Sequence, residues 1–596
     1  MGVTTLILFT ILLVHYTTNG VLTNCNEVQK IVRRLALENN ETRVCSCLRS
    51  GTYSTIEGVA LDCANPSMPH LDQLLRELNG TKLGSLTIRD STADSLPLNM
   101  FENVNTRKLK IERTQLSMVE NNSLGTNGAI LSSISLRMNK VKTIENGMFS
   151  GNKGLRKIDL SSNKITTIEK DAFNDCQLVI ELVLNDNELS EIEDGAFSKL
   201  TSLRTLSMVN NKLHTINKGT FRGLSNLEVL QLQDNNIENI DWAAFAGMKK
   251  LKVLNLGSNH ISIVQLRGLL SLQRLILNNN SIDTLRNVKI RDMPSLTILT
   301  FDRNRISSIS DVDLTGLSRS TRLESLGFAS NNISYIAPRA FQPVQNIKHL
   351  TLQNNQLDDL TSKNSDGTAF LTPLKSLVSI HLSHNGLSII RANELPKSLV
   401  HLSADHNKIE KVEPRAFDGI KLKRLFLNKN KLQFLYHNAF ASFSPATIEA
   451  IDVSSNDWQC VCKDPKEWLP RWLEEAEDSD VSEGPLGCLA IPNCGKTPSQ
   501  MKNNGEIEVK SAGWITVTAI ILSILIVLIM CTIAGLYCMD LRNQNPLTRG
   551  SRTNSDLHKL IENDPLNFMN SDSLLVLPPM KKSASGDKKR VRFEDC

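Results

Sequence analysis

The chain has 596 residues, 22% of them charged and 40% hydrophobic, with a formal net charge of +5 and twelve cysteines. That length leaves room for several domains, and so small a net charge on so long a chain excludes the strongly basic nucleic-acid binders. Four cysteines cluster early and four late, a usage that suits an oxidising compartment rather than the cytosol.

Taken in chain order, residues 1–20, MGVTTLILFTILLVHYTTNG, hold an apolar core from Leu6 to Val14 followed by small or polar side chains. The core is too short to cross a bilayer and reads as a secretory signal, although no Lys or Arg opens it; the alternative is an uncleaved anchor. Residues 21–82 contain Cys25, Cys45, Cys47 and Cys63, and the stretch VQKIVRRLAL places Val28, Ile31, Val32 and Leu35 at helical spacing.

Over residues 83–447 the chain repeats itself. LRKIDLSSNKI (from Leu155), LEVLQLQDNNI (from Leu227) and LESLGFASNNI (from Leu323) share L-x-x-L-x-L-x-x-N-x-L; sixteen such starts run from 83 to 448, most often 24 residues apart. The x-L-x-L stretch suits a short parallel strand with its leucines turned inward, and no single repeat can bury that face without its neighbours. An asparagine stands at the ninth position from Asn139 through Asn456, replaced by Ser91 and Thr114 in the first two repeats, and its amide is suited to bond backbone groups where the chain leaves the strand. Phe101, Phe149, Phe173, Phe197, Phe221, Phe245, Phe341 and Phe417 recur on what is expected to be the convex side. The series lapses between about 255 and 323, where spacings of 21 and 27 residues suggest a change of curvature.

The motif resembles the leucine-rich repeat, and the resemblance implies an α/β solenoid with short parallel strands on its concave face and disulfide caps at both ends. SSNDWQCVCKDPKEWLPRWL, with Cys488 and Cys494 downstream, resembles the C-terminal cap of extracellular members over residues 448–495; it implies the pairs Cys460–Cys488 and Cys462–Cys494. The early group resembles the matching cap and implies Cys25–Cys47 and Cys45–Cys63, although 19 residues between its first two cysteines depart from that family. Cys176 is left over, either buried as a small hydrophobe or engaged in an intermolecular disulfide.

Positions three, five, seven and eight of each repeat are expected on the concave face. In the middle of the array they read Thr205, Ser207, Val209, Val229, Gln231, Gln233, Val253, Asn255 and Gly257, a lining suited to a protein ligand rather than a small molecule. His349, His381, His384, His401 and His406 occupy such positions in three successive repeats. His384 and His406 share the eighth position of adjacent turns, about 5 Å apart, with Asp405 beside them. Such a pair can serve a metal or a pH switch, and a solvated polar face is the plainer alternative. No H-E-x-x-H, G-x-S-x-G or P-loop motif occurs, so neither an enzyme nor a cofactor is expected.

Beyond a stalk at 496–513, residues 514–538 begin with WITVTAIILSILIVLIMCTIAGLY, an uncharged run long enough to span a bilayer; Arg542, Arg549 and Arg552 follow it and favour a cytosolic C-terminus. Five N-x-[ST] sequons, at Asn40, Asn79, Asn121, Asn279 and Asn332, then lie on the outer side. The tail, 539–596, is polar and reads as disordered. It carries an acidic dileucine-like DLHKLI (Asp556, Leu560, Ile561) and serines after basic residues at Ser555 and Ser583. It ends in KKRVRFEDC, which resembles the docking motif for the catalytic subunit of protein phosphatase type 1, with Arg590 in the basic part and Val591 and Phe593 as anchors for strand addition. A polybasic segment held at the anionic inner leaflet is the alternative.

The whole layout resembles the extracellular leucine-rich repeat transmembrane class. The resemblance implies a single-pass type I protein of the cell or apical membrane that binds an extracellular protein or matrix ligand in development, adhesion or apical-matrix organisation. A nematode branch of similar length implies moulting and gonad maturation, with some association with germ granules. A membrane-tethered scaffold acting through its tail is the second reading.

Overall fold

The computed structural model describes residues 25–38, 45–48 and 59–458, apart from 97–98, 103, 121–122, 125–129, 362–366 and 443, together with 469, 472 and 480–481. All of them belong to one compact unit. The signal segment 1–20, Asn40, Asn121, Cys460, Cys462, Cys488, Cys494, the span 514–538 and the tail motifs (Asp556, Leu560, Ile561, Arg590, Val591, Phe593) lie outside the described residues. Among the described residues, no helix is long and apolar enough to cross a membrane.

Sixteen strands, one for each repeat, run from Leu83–Arg89 to Ala450–Asp452 and pair in parallel, each with the next turn of the chain. With Cys45–Leu48 and Val59–Ala64 before them and Asp480–Val481 after, they make, among the described residues, a sheet of 19 strands in which the first pair is antiparallel and the others are parallel. Most strands are three residues long, such as Val229–Gln231, because the chain leaves the sheet as soon as the inward leucines are placed. Leu227, Leu230, Leu232 and Ile237 of that turn are all fully buried, and the same four positions recur along the array.

Those buried turns expose backbone groups to an apolar interior, and the ninth-position asparagines satisfy them. Asn235 Nδ2 donates to Leu232 O in its own turn (3.0 Å) and to Met208 O in the turn before (2.9 Å), while Oδ1 accepts from Leu213 N (3.1 Å). The link to the preceding turn repeats at each of the fourteen asparagines from Asn139 (Nδ2 to Ile111 O, 2.7 Å) to Asn456 (Nδ2 to Leu427 O, 3.0 Å). Ser91 and Thr114 have one hydroxyl proton each and donate once, Ser91 to Pro66 O and Thr114 to Asn139 Oδ1 of the following turn, while accepting from Ala93 N and Leu116 N. The residue before the ladder position is left-handed in all sixteen turns, with φ between +51° and +61°, from Asp90 to Ser455. That conformation costs a non-glycine residue about 1–2 kcal/mol. None of the sixteen is β-branched, the class for which the region is least accessible.

On the opposite side, phenylalanines form a stacked spine: Phe149–Phe173 at 5.8 Å between centroids, Phe173–Phe197 at 6.1 Å and Phe221–Phe245 at 5.7 Å. Phe370 and Phe440 extend it beyond the expected set, packed on Phe341 and Phe417. Where the spine lapses, Val264–Arg267 and Val288–Arg291 pair as four-residue parallel strands, and buried Leu266 and Ile290 fill the space instead. The thirty-residue repeat after Ile347 is tied down by Arg391, whose guanidinium bonds both oxygens of Asp359 (2.6 and 2.7 Å) and Glu394 Oε1 (2.9 Å).

The N-terminal end is closed by helix Cys25–Glu38, which buries Val28, Val32 and Leu35, and by helix Met68–Glu77, which buries Leu71, Leu74 and Leu75. Disulfides join Cys25 to Cys47 and Cys45 to Cys63. Toward the other end, Trp458 is buried with Nε1 on Val453 O, and Trp472 packs edge-on against Phe440. Cys176 is buried and its thiol is pushed up to about 12 by that burial, then by Asp175, which keeps it protonated at neutral pH.

Asn235→Ala strands one buried amide and two buried carbonyls. It is expected to destabilise the solenoid by about 2–4 kcal/mol in urea unfolding, against less than about 0.5 kcal/mol for Lys153→Ala on the surface.

Candidate binding face on the parallel sheet

The outward side chains of the short strands alternate with the buried leucines, so one row per turn faces away from the core. Positions three and seven are half-exposed at Thr205, Val209, Val229, Gln233 and Val253 but buried in other turns, position three at Arg274, Ile298, Ser325 and Ser379 and position seven at Ser161, Asn185, Asp302 and Ala329. Position five is different: Ser207, Gln231, Thr300 and Thr351 are buried between neighbouring strands. Ser207 Oγ lies 2.7 Å from Asn185 Oδ1 and 2.8 Å from Gln231 Oε1, and Asn185 Oδ1 also accepts from Val209 N. Ser207 and Gln231 are therefore engaged internally, which the alternation of the repeat did not disclose. The accessible surface is left to position eight and to positions three and seven in the turns where they are half-exposed.

Charge is arranged along this lattice at the repeat period. Near the start, Asp90 lies between Arg89 (3.0 Å) and Arg113 (2.8 Å), and Arg89 also reaches Asp62 (3.0 Å). Hydrogen bonds from Arg113 hold the Asp90 carboxyl below the usual carboxylate range, against a smaller opposing effect of burial. Further on, Glu228 pairs with Lys252 (2.7 Å) and Arg204 (3.6 Å), and Glu188 with Lys212 and Lys164. These pairs are solvent-facing and hold side chains in register more than they stabilise the fold. The sequons Asn79, Asn279 and Asn332 are exposed; the Asn279 side chain donates to Ser258 Oγ (3.2 Å).

The histidines lie on adjoining strands. His349 is registered with Ser379 and Ser379 with His401, while His381 lies between Thr351 and Ser403. The rings of His384 and His406 stack, with centroids 4.0 Å apart and planes 22° from parallel. His406 Nδ1 is 2.8 Å from Asp405 Oδ2. The other carboxylate oxygen accepts from Ser383 Oγ (2.5 Å) and Ser403 Oγ (2.9 Å). Burial would raise the Asp405 carboxyl, but the hydrogen bonds from Ser383, His406 and Ser403 outweigh it and hold it below the usual range. Burial lowers His349 and His401, and burial followed by the charge of His406 lowers His384. His381 is pushed furthest, to about 4, by burial and then by His349 and His401, with Asp405 opposing them.

A leucine rich repeat family model matches the chain in overlapping steps from 129–180 to 270–324. Over 554 residues, 93% of each chain, the protein is 64% identical to P-granule-associated novel protein 1 of Caenorhabditis elegans. Human lumican is 32% identical over 136 residues, 22% of this chain and 38% of lumican. Mouse podocan is 38% identical over 112 residues, 19% of this chain and 18% of podocan. Among solved structures, one of the Toll–Spatzle complex superposes with a TM-score of 0.53 at 15% identity, covering 80% of this chain and 76% of that one, a likeness of fold.

An imidazole held near 4 in the folded state and near 6.5 unfolded binds its proton first in the unfolded chain. Stability should therefore fall as pH drops from about 6.5 towards 4, by up to about 3 kcal/mol from His381. His381→Gln is expected to flatten that part of the stability–pH curve measured by thermal unfolding.

Proposed function

The chain belongs to the leucine-rich repeat family that includes P-granule-associated novel protein 1 of C. elegans, and on that footing we propose that it is a type I cell-surface protein whose sheet face binds an extracellular protein or matrix component. One observation carries the reading. The core, the asparagine ladder and the phenylalanine spine account for the inward side chains, whereas position eight of every turn, joined by positions three and seven where these are half-exposed, presents a long row of mixed polar, charged and small apolar groups to the outside. A surface so long and so shallow suits a macromolecule rather than a small molecule. The paired cysteines of the N-terminal cap, the exposed sequons and the uncharged run at 514–538 support an ectodomain outside the cell and a tail within it. The residues expected to carry the remaining features are Cys460, Cys462, Cys488 and Cys494 for the second cap and Asn79, Asn279 and Asn332 for glycans. In its family setting the protein acts in development, adhesion or apical-matrix organisation, with moulting and gonad maturation as the nematode form of that role.

Val229→Arg combined with Val253→Arg places two bulky cations on half-exposed positions of neighbouring strands. The pair is expected to abolish recovery of the extracellular partner in surface proximity labelling, while Lys153→Ala leaves it intact. Equal recovery from both would remove the sheet face as the binding surface.

A second reading makes the tail the active part, because KKRVRFEDC sets Val591 and Phe593 two residues apart in a basic segment with no core of its own. Here the protein is a membrane-tethered scaffold for protein phosphatase type 1, and the name of the nematode relative adds a granule-associated pool to its locations. Val591→Ala with Phe593→Ala should then abolish co-purification of the phosphatase; undiminished recovery would exclude the docking.

A further inference from the structure

We propose that His384, His406 and Asp405 form a binding site for a divalent transition metal ion of the zinc type on the sheet face. The site is prepared by the backbone. His384 and His406 are the eighth residues of adjacent turns, both left-handed with φ of +56° and +51°, so their side chains leave the chain in the same direction one strand apart. Their rings lie 4.0 Å apart, and one donor atom each from His384, His406 and Asp405 fall within 4.8 Å of one another. Zinc–nitrogen and zinc–oxygen bonds of about 2.0–2.2 Å are reached from there by rotation of the imidazoles about their side-chain bonds, without movement of the sheet.

The third donor is held in advance. Asp405 Oδ1 takes hydrogen bonds from Ser383 and Ser403 on two adjacent turns, which aims Oδ2 at the His406 ring. On binding, Oδ2 exchanges its contact with His406 Nδ1 for the ion, while the serine hydrogen bonds on Oδ1 hold the ligating carboxylate in place. Two nitrogens and one carboxylate favour zinc or copper over calcium, which takes six to eight oxygens. His384 is exposed, which leaves a fourth position open to water. The other three histidines do not compete. His349 and His401 are separated by the strand of Ser379, hence by about 9–10 Å, too far to share one ion. His381, at position five, is registered with Thr351 and Ser403 and is not among the donors that converge with His384 and His406.

The test is calorimetric titration of the chelator-treated full-length protein with zinc chloride at pH 7.5, with calcium chloride as the comparison ion. His384→Asn with His406→Asn is the decisive variant, since asparagine tolerates the left-handed conformation and both positions lie outside the core. Saturable zinc binding is expected, weakened at least 100-fold in that double variant, 10- to 100-fold in Asp405→Asn, and unchanged in His349→Ala with His401→Ala. Far-ultraviolet circular dichroism identical to the parent shows that the variants are folded. Absence of saturable zinc binding, binding untouched by H384N/H406N, or equal affinity for calcium would each overturn the site.

Discussion

Each turn of this solenoid leaves buried backbone groups that its own strand cannot satisfy, and the asparagine at the ninth position closes that deficit. Its amide donates to a carbonyl of the preceding turn and its oxygen accepts from an amide there, so every link joins two repeats. The leucines stack because neighbouring turns bring them together, but they do not specify the angle at which the chain turns away from the sheet. The amide does. The turns that carry the asparagine all have a three-residue strand, whereas the left-handed residue before the ladder position persists also before Ser91 and Thr114.

The array is correspondingly one-dimensional: each turn touches its neighbours, and irregularity is absorbed locally. The lapse of the phenylalanine spine after Phe245 is met by an additional parallel pair, Val264–Arg267 with Val288–Arg291, and the ladder continues through Asn259, Asn280 and Asn304 without interruption. The long repeat before Leu377 is likewise accommodated by the Arg391, Asp359 and Glu394 cluster at its margin. At the first two repeats, where Ser91 and Thr114 stand in for asparagine, longer strands carry the pairing instead, Val59–Ala64 with Leu83–Arg89 and the latter with Lys108–Glu112.

The sixteen strands were legible in the sequence because leucine spacing and a buried amide are both chemical necessities of the turn, and each leaves a mark at a fixed offset. Phe370 was not, since the insertion in its repeat shifts it away from the offset shared by the other rings; Phe440 stands at that offset, 18 residues after Leu422, and was legible but not counted. The adjacency of His384 and His406 could be read by counting positions. The support beneath them could not: that Ser383 and Ser403 converge on one oxygen of Asp405 depends on side-chain rotamers, which a repeat pattern does not encode. Burial of position five was hidden for a similar reason, because strict alternation says which way a side chain points and not how closely neighbouring strands enclose it.

The column of left-handed residues has a consequence for how such a protein can change over generations. Its backbone geometry is the same in all sixteen turns whatever side chain stands there and whether Asn, Ser or Thr follows, so that side chain has little duty in folding. In this chain the column already holds aspartate, asparagine, serine, arginine, methionine, lysine and histidine. Selection can therefore rewrite one residue per turn, in sixteen adjacent places, while the scaffold beneath stays the same. Related chains can diverge in what they recognise well before they diverge in how they fold.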